Sequence, residues 1–315
     1  MEADSEDNPH EDVRALSLVL LIFTVSLNAE QLWMKDWHEA LKKASSDKKD
    51  VLVFFNGVRW CKWSAKLKKE VLDHKEFTDL VKDKYILLDY EYSVDSEESR
   101  PKYELRKKIS EKYNIQSFPQ LMLMDSNSAP YAVCGYEKEG LSFYKSFLLR
   151  SEKLATSKKS LEEELKSLEG ISKAEKYADL LKLFYRFNKF YSAYEKKLRA
   201  LDPQDNLGYF SWKGVNVKIG LLQGECIGLV RNGKSQIALQ KVDDFIEANK
   251  LKGIQLQNSL YVKLICYEFS RKNFKTVDSL LTEIISIEPE SDTALQCKKI
   301  KKNIAAGLKL SQSLK

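Results

Sequence analysis

Cys61 stands in the segment Trp60-Cys61-Lys62-Trp63-Ser64, and Phe118-Pro119 follows much later in the chain. As a thiolate, a cysteine attacks a disulfide, or is captured by one, through a mixed disulfide. Ser64 offers a hydroxyl three residues on. That hydroxyl can donate a hydrogen bond to the Cys61 thiolate, but it cannot attack a mixed disulfide and free Cys61. Closing a ring within the segment is therefore excluded. Cys61 also sits where a helix is predicted to begin, so unsatisfied backbone N–H groups and the positive end of the helix dipole favour its charged form. Arg59 and Lys62 are expected to add positive charge. Together these features predict a Cys61 pKa below the ~8.5 of a free thiol. Trp60 and Trp63 would rim the thiol with apolar surface fit to grip unfolded chains.

The flanking pattern alternates between helix and strand. Asp36 to Ala44 has helical spacing, with Trp37, Leu41 and Ala44 on one side. Val51 to Phe55 is a continuous apolar run, as in a strand buried on both faces, and Gly57 breaks it. Residues 61–72 read as a helix, Tyr85 to Tyr90 as a strand and Tyr103 to Tyr113 as a helix. Strands at Leu121 to Met124 and Tyr131 to Gly135 flank the turn-rich Asp125-Ser126-Asn127-Ser128, and Gly140 to Arg150 reads as a helix. Such alternation predicts a parallel core with a late antiparallel hairpin.

Residues 30–150 resemble a thioredoxin-like domain, of the exported bacterial branch of disulfide oxidoreductases and isomerases. The likeness rests on the buried strand ending at Asn56-Gly57, on Trp60-Cys61-x-x opening a helix, on Ile115-Gln116-Ser117-Phe118-Pro119 before a strand, and on Gly135 after the next. The resemblance implies a cis-proline at Pro119, which would turn the Phe118 backbone toward an extended substrate strand. It also implies that Gly135 lies beside the active site. Two departures agree with each other. Ser64 replaces the family's resolving cysteine, and Phe54 and Phe55 occupy the strand where the family often carries a buried acid that serves that cysteine. The resemblance therefore implies catalytic roles for Cys61, Ser64 and Pro119. Substrate contacts are expected from Trp60, Trp63, Phe118 and Gly135.

The rest of the chain is read differently. Residues 151–170, rich in Ser, Lys and Glu, suggest a linker or solvated helix, and residues 171–315 are helical in pattern. Candidate helices are Ala174 to Arg186, Ser192 to Leu201, Ser235 to Ala248, Gln257 to Phe269 and Thr276 to Ile287. Tyr261, Leu264, Phe274, Val277, Leu281, Ile284 and Pro289 fall at spacings similar to tetratricopeptide repeats, with Asn273-Phe274 as the turn. The expected architecture is thus an α/β thioredoxin-like domain followed by an all-α domain, either a degenerate tetratricopeptide-like array or a helical bundle.

Hydrophobic residues at 43% and a near-balance of 52 basic against 46 acidic residues fit a folded protein with a solvated surface rather than disorder. The short run Lys298-Lys299-Ile300-Lys301-Lys302 is no nucleic-acid footprint. The five cysteines, Cys61, Cys134, Cys226, Cys266 and Cys297, have no zinc spacing, and the three histidines are scattered, so neither metal nor other cofactor is expected. Cys134, next to Gly135, could serve as a substitute resolving thiol or lie in the core. Residues 1–29 suggest a signal segment, since Ala15 to Ala29 is an apolar run of signal-peptide length ending in small residues. The acidic stretch before it fits poorly unless translation begins at Val13. Export, to a periplasm-like oxidising compartment, is expected, with membrane contact only through this segment if it is uncleaved.

The expected function is thiol–disulfide exchange on unfolded or misoxidised exported proteins. Isomerisation needs one nucleophile and no net electrons. The alternative is a chaperone or scaffold that holds clients as mixed disulfides. A protein partner on the helical half fits either reading.

Overall fold

The computed structural model describes residues 32–92, 100–268 and 274–313. The expected signal segment lies outside these residues, as does Asn273 of the expected inter-helix turn. Two compact units divide at Leu201 and Asp202.

The first unit holds five strands: β1 (Trp33–Met34), β2 (Asp50–Asn56), β3 (Tyr85–Glu91), β4 (Gln120–Met124) and β5 (Pro130–Cys134). They form one sheet in the order β1-β3-β2-β4-β5. β1, β3 and β2 run parallel, whereas β4 and β5 run antiparallel, closing the sheet with a hairpin. Helices α1 (Trp37–Asp47), α2 (Lys62–Leu67), α3 (Lys75–Val81), α4 (Arg100–Tyr113) and α5 (Leu141–Ser167) complete this part. A π-helical turn, Lys68–Leu72, prolongs α2. The sheet is buried on both faces, which is why β2 and β3 read as unbroken apolar runs.

The faces are set by the period of two. Val51, Val53, Phe55, Leu88, Tyr90, Met122 and Met124 point to one side, where Trp37, Ala40 and Ala44 of α1 and Ile109 and Tyr113 of α4 meet them. The rings of Trp37, Phe55, Tyr90 and Tyr113 interlock with centroids 5.3–6.2 Å apart. Each such pair contributes about 1 kcal/mol beyond its buried area. This cluster anchors the end of β2, from which the Cys61 loop departs.

Residues 151–170 are not a free linker. α5 runs unbroken through Ser167, about 40 Å at 1.5 Å per residue. Lys158 is 6% exposed and is held by Asp125, at 2.8 Å, and Glu162, at 2.7 Å. A composition of Lys, Ser and Glu looked solvated because the partner of Lys158 lies 33 residues away in the β4–β5 turn. Helices α6 (Gly170–Leu183) and α7 (Ser192–Leu201), joined by the 3-10 turn Tyr185–Tyr191, belong to the same unit. Phe190 of that turn stacks on Tyr113 at 5.0 Å, and the Tyr191 hydroxyl donates to the Pro130 carbonyl. The compact first unit therefore extends past the expected boundary at 150.

The second unit is helical: α8 (Tyr209–Arg231), α9 (Ser235–Asn249), α10 (Gly253–Glu268), α11 (Phe274–Ile287) and α12 (Asp292–Ser313). Two of these, α8 and α12, were absent from the expected helices. α8 carries four glycines, Gly214, Gly220, Gly224 and Gly228, residues that individually disfavour helix by about 1 kcal/mol and hide its pattern. Tyr261, Leu264, Val277, Leu281 and Ile284 converge in one core with Leu260, Leu280 and Cys297. Among the described residues, no helix is long and apolar enough to cross a membrane.

Candidate active site

The site is built at the end of β2. Gly57 must be a glycine here, because the Trp60 ring folds back over it and an added Cβ would lie 2.3 Å from that ring. The Gly57 carbonyl then accepts from the N–H groups of Trp60 and Cys61. This tight turn delivers Cys61 as the N-terminal cap of α2, in extended backbone conformation (φ −104°, ψ 107°).

Cys61 is free and half-buried. Burial pushes its thiol up, but hydrogen bonds from the Ser64 hydroxyl and from the backbone N–H groups of Ser64 and Trp63 outweigh it. The net result is a pKa held below the ordinary thiol value. The expected direction is correct, yet part of the expected cause is not. Arg59 turns away to Glu91, its Nε 2.9 Å from the carboxylate, and Lys62 leans over the Trp63 ring. Local donors, rather than those side-chain charges, do the work.

Ser64 is fully buried. Its oxygen accepts from the Gly57 N–H at 3.2 Å while its hydrogen is directed to Cys61. One hydroxyl therefore both pins the loop and stabilises the thiolate. The Phe118–Pro119 peptide bond is cis, and the Cys61 thiol donates to the Phe118 carbonyl at 3.6 Å. Trp60, 45% exposed, packs edge-to-face on Phe118, with its indole N–H bonded to the Tyr92 carbonyl at 2.7 Å. Trp63, 39% exposed, lies on the other flank beside Tyr136, with Lys66 above both rings. Gly135 borders Pro119: a Cβ on it would sit 3.5 Å from the Pro119 carbonyl oxygen, an ordinary contact, so space alone does not demand glycine there. Ser64, Trp63 and Phe118 thus meet the Cys61 sulfur, with Trp60 packed on Phe118 and Gly135 beside Pro119.

The sequence reasoning overlooked Asn56 and Asp89. Asn56 is fully buried. Its amide donates to the Phe54 carbonyl and to Asp89, and its oxygen accepts from the Val58 N–H. Asp89 pairs in register with Phe54 on the neighbouring strand and also binds Lys35. A buried acid is therefore present on the strand beside Phe54 and Phe55, already engaged by Lys35 and Asn56. Asp89 stands alone among apolar residues in Tyr85–Tyr90, which was the available signal. Cys134 is a half-buried cysteine paired in register with Leu121. Among the described residues, no group of three or more His, Cys, Asp or Glu could hold a metal.

Comparison with known proteins agrees with this architecture. Residues 32–126 match a family model described as thioredoxin-like. The disulfide bond reductase DsbH of Chlamydia pneumoniae is 24% identical over 123 residues, covering 39% of this chain and 74% of DsbH. The thioredoxin-related protein DsbJ of the same organism is 31% identical over 97 residues, 30% of this chain but only 27% of DsbJ. Among solved structures, a DsbH oxidoreductase shares 24% identity over 39% of this chain and 84% of its own, with a TM-score of 0.36.

Proposed function

We propose that this chain, thioredoxin-like over residues 32–126 and homologous there to disulfide oxidoreductases, performs thiol–disulfide exchange through Cys61 alone, as a disulfide isomerase of exported proteins. The observation that carries this reading is the pairing of a half-exposed, acid-shifted thiol with a buried Ser64 hydroxyl. Cys61 attacks a wrong substrate disulfide, forming a mixed disulfide and freeing one substrate thiolate. That thiolate attacks another substrate disulfide, and the substrate thiol so released, or the original one, displaces Cys61. Electrons balance within the substrate, so no second protein thiol is needed. Trp60 and Trp63 offer apolar contact to an unfolded chain, and the Phe118 backbone beside the cis-proline offers a strand edge. Export places the thiol in an oxidising compartment where wrong disulfides arise.

The test is recovery of a scrambled disulfide protein. The native chain is expected to restore its activity, and Cys61→Ser to abolish the effect. Ser64→Cys is expected to catalyse insulin reduction with dithiothreitol faster than the native chain does. Isomerisation that survives Cys61→Ser refutes the proposal. Stable adducts on Cys61 without any recovery of activity would instead support a client-holding role.

A further inference from the structure

Cys226 on α8 and Cys266 on α10 are both completely buried in one apolar core, with Ile219, Val230, Ala238, Val242 and Val262 around them. The two helices pack directly on each other. Both are free thiols, and the sulfurs lie close enough that each shifts the other's titration, while Cys226 donates to the Ala238 carbonyl at 3.6 Å. Among the described residues, the other three cysteines differ in setting. Cys61 and Cys134 are half-buried in the first unit, and Cys297 belongs to a separate core between α10, α11 and α12.

We propose that Cys226 and Cys266 form a structural disulfide that ties α8 to α10. The reaction consumes a low-molecular-weight disulfide such as oxidised glutathione. The Cys226 thiolate attacks it, releasing one reduced thiol and leaving a mixed disulfide on Cys226. The Cys266 thiolate then attacks the Cys226 sulfur and expels the second. Two cysteine thiols are oxidised, one disulfide is reduced to two thiols, and the two cysteine protons end on those products.

Their environment fixes when this happens. Burial pushes the Cys226 thiol up, and Cys266 to about 12, so neither ionises readily inside the folded core. The bond therefore forms while the chain folds and the sulfurs are still open to the oxidant. Once enclosed, it is shielded from reductants and from Cys61. The chain would thus separate a partly exposed exchange thiol from a closed pair that does not exchange. The cross-link spans roughly 40 residues, a loop long enough for substantial stabilisation through the unfolded chain.

The full chain, and a Cys61→Ser version to remove shuffling, would be refolded from denaturant in a glutathione redox buffer. Free thiols are then blocked in acid, and peptides are mapped by mass spectrometry. The expected product is one peptide pair joined through Cys226 and Cys266 in both chains, absent in Cys266→Ala. The melting temperature of the second unit is expected to rise on oxidation by on the order of 10 °C. The Cys226→Ala/Cys266→Ala chain should melt alike in either redox state. Recovery of both cysteines as blocked thiols, their pairing with Cys134 or Cys297, or a cross-link without a rise in melting temperature would each overturn the proposal. None of these readouts depends on whether Cys61 is an isomerase nucleophile.

Discussion

Ser64→Ala isolates the contribution of one hydroxyl to the reactivity of Cys61. The native thiolate draws on three donors, the Ser64 hydroxyl and two backbone N–H groups, and the substitution removes only the first. A hydrogen bond to a charged group contributes about 1.5–3 kcal/mol, and 1.36 kcal/mol corresponds to one pKa unit. Cys61 is partly open to water, which discounts the gain, so the lower end applies: the midpoint rises and the thiolate population at neutral pH falls about tenfold. The rate at neutral pH falls less than tenfold, because a more basic thiolate is a better nucleophile. With a Brønsted slope near 0.5, a tenfold loss of thiolate is partly offset by about threefold higher reactivity. The variant should therefore be alkylated by iodoacetamide up to about threefold more slowly at pH 7 and about threefold faster well above its midpoint. The two pH–rate profiles cross, a signature that simple misfolding does not produce. Removing the acceptor of the Gly57 N–H costs about 1 kcal/mol in stability, which a melting curve separates from the pKa effect. An unchanged midpoint, or a uniform loss of rate at every pH, would refute the assignment of the acid shift to Ser64.

Two further substitutions test the frame around the site. Lys158→Met leaves Asp125 and Glu162 without their shared cation in a buried setting, and is expected to destabilise the first unit by about 3 kcal/mol, measured by urea unfolding. Adding Asp125→Asn and Glu162→Gln should recover part of that loss, and a neutral Lys158→Met would show that α5 is not fastened there. Asp50 has its pKa raised above the ordinary 3.8 because burial disfavours its charge more than the Tyr131 hydrogen bond favours it. Its stabilising contribution is therefore complete below the unfolded carboxylate value and is lost as pH rises through the higher folded one. Asp50→Asn should gain stability relative to the native chain as pH climbs from about 4 to 7, read from urea midpoints, and a pH-independent difference would contradict this.

Much of the first unit was legible because its signals are local. A strand buried on both faces must be apolar throughout, so Val51 to Phe55 announced β2. The Trp60–Ser64 segment announced a lone thiol at a helix start, and Ser64 excluded a resolving role before any contact was known. Composition misled where a partner was distant. Residues 151–170 looked solvated, although Lys158 reaches the β4–β5 turn, and the glycines of α8 obscured a 23-residue helix.

The amino-acid order by itself determined the strands and helices around the site and marked Cys61 as the thiol at a helix start, since periodicity, helix starts and a missing second thiol are properties of neighbouring residues. The tertiary structure decided what each polar group meets. Arg59 goes to Glu91 rather than the thiol, Asp89 is taken by Lys35 and Asn56, and Cys226 shares one core with Cys266 across two helices. These partners are tens of residues apart in the chain. Whether they touch is set by sheet order and helix packing, through which distant side chains compete for the same buried space.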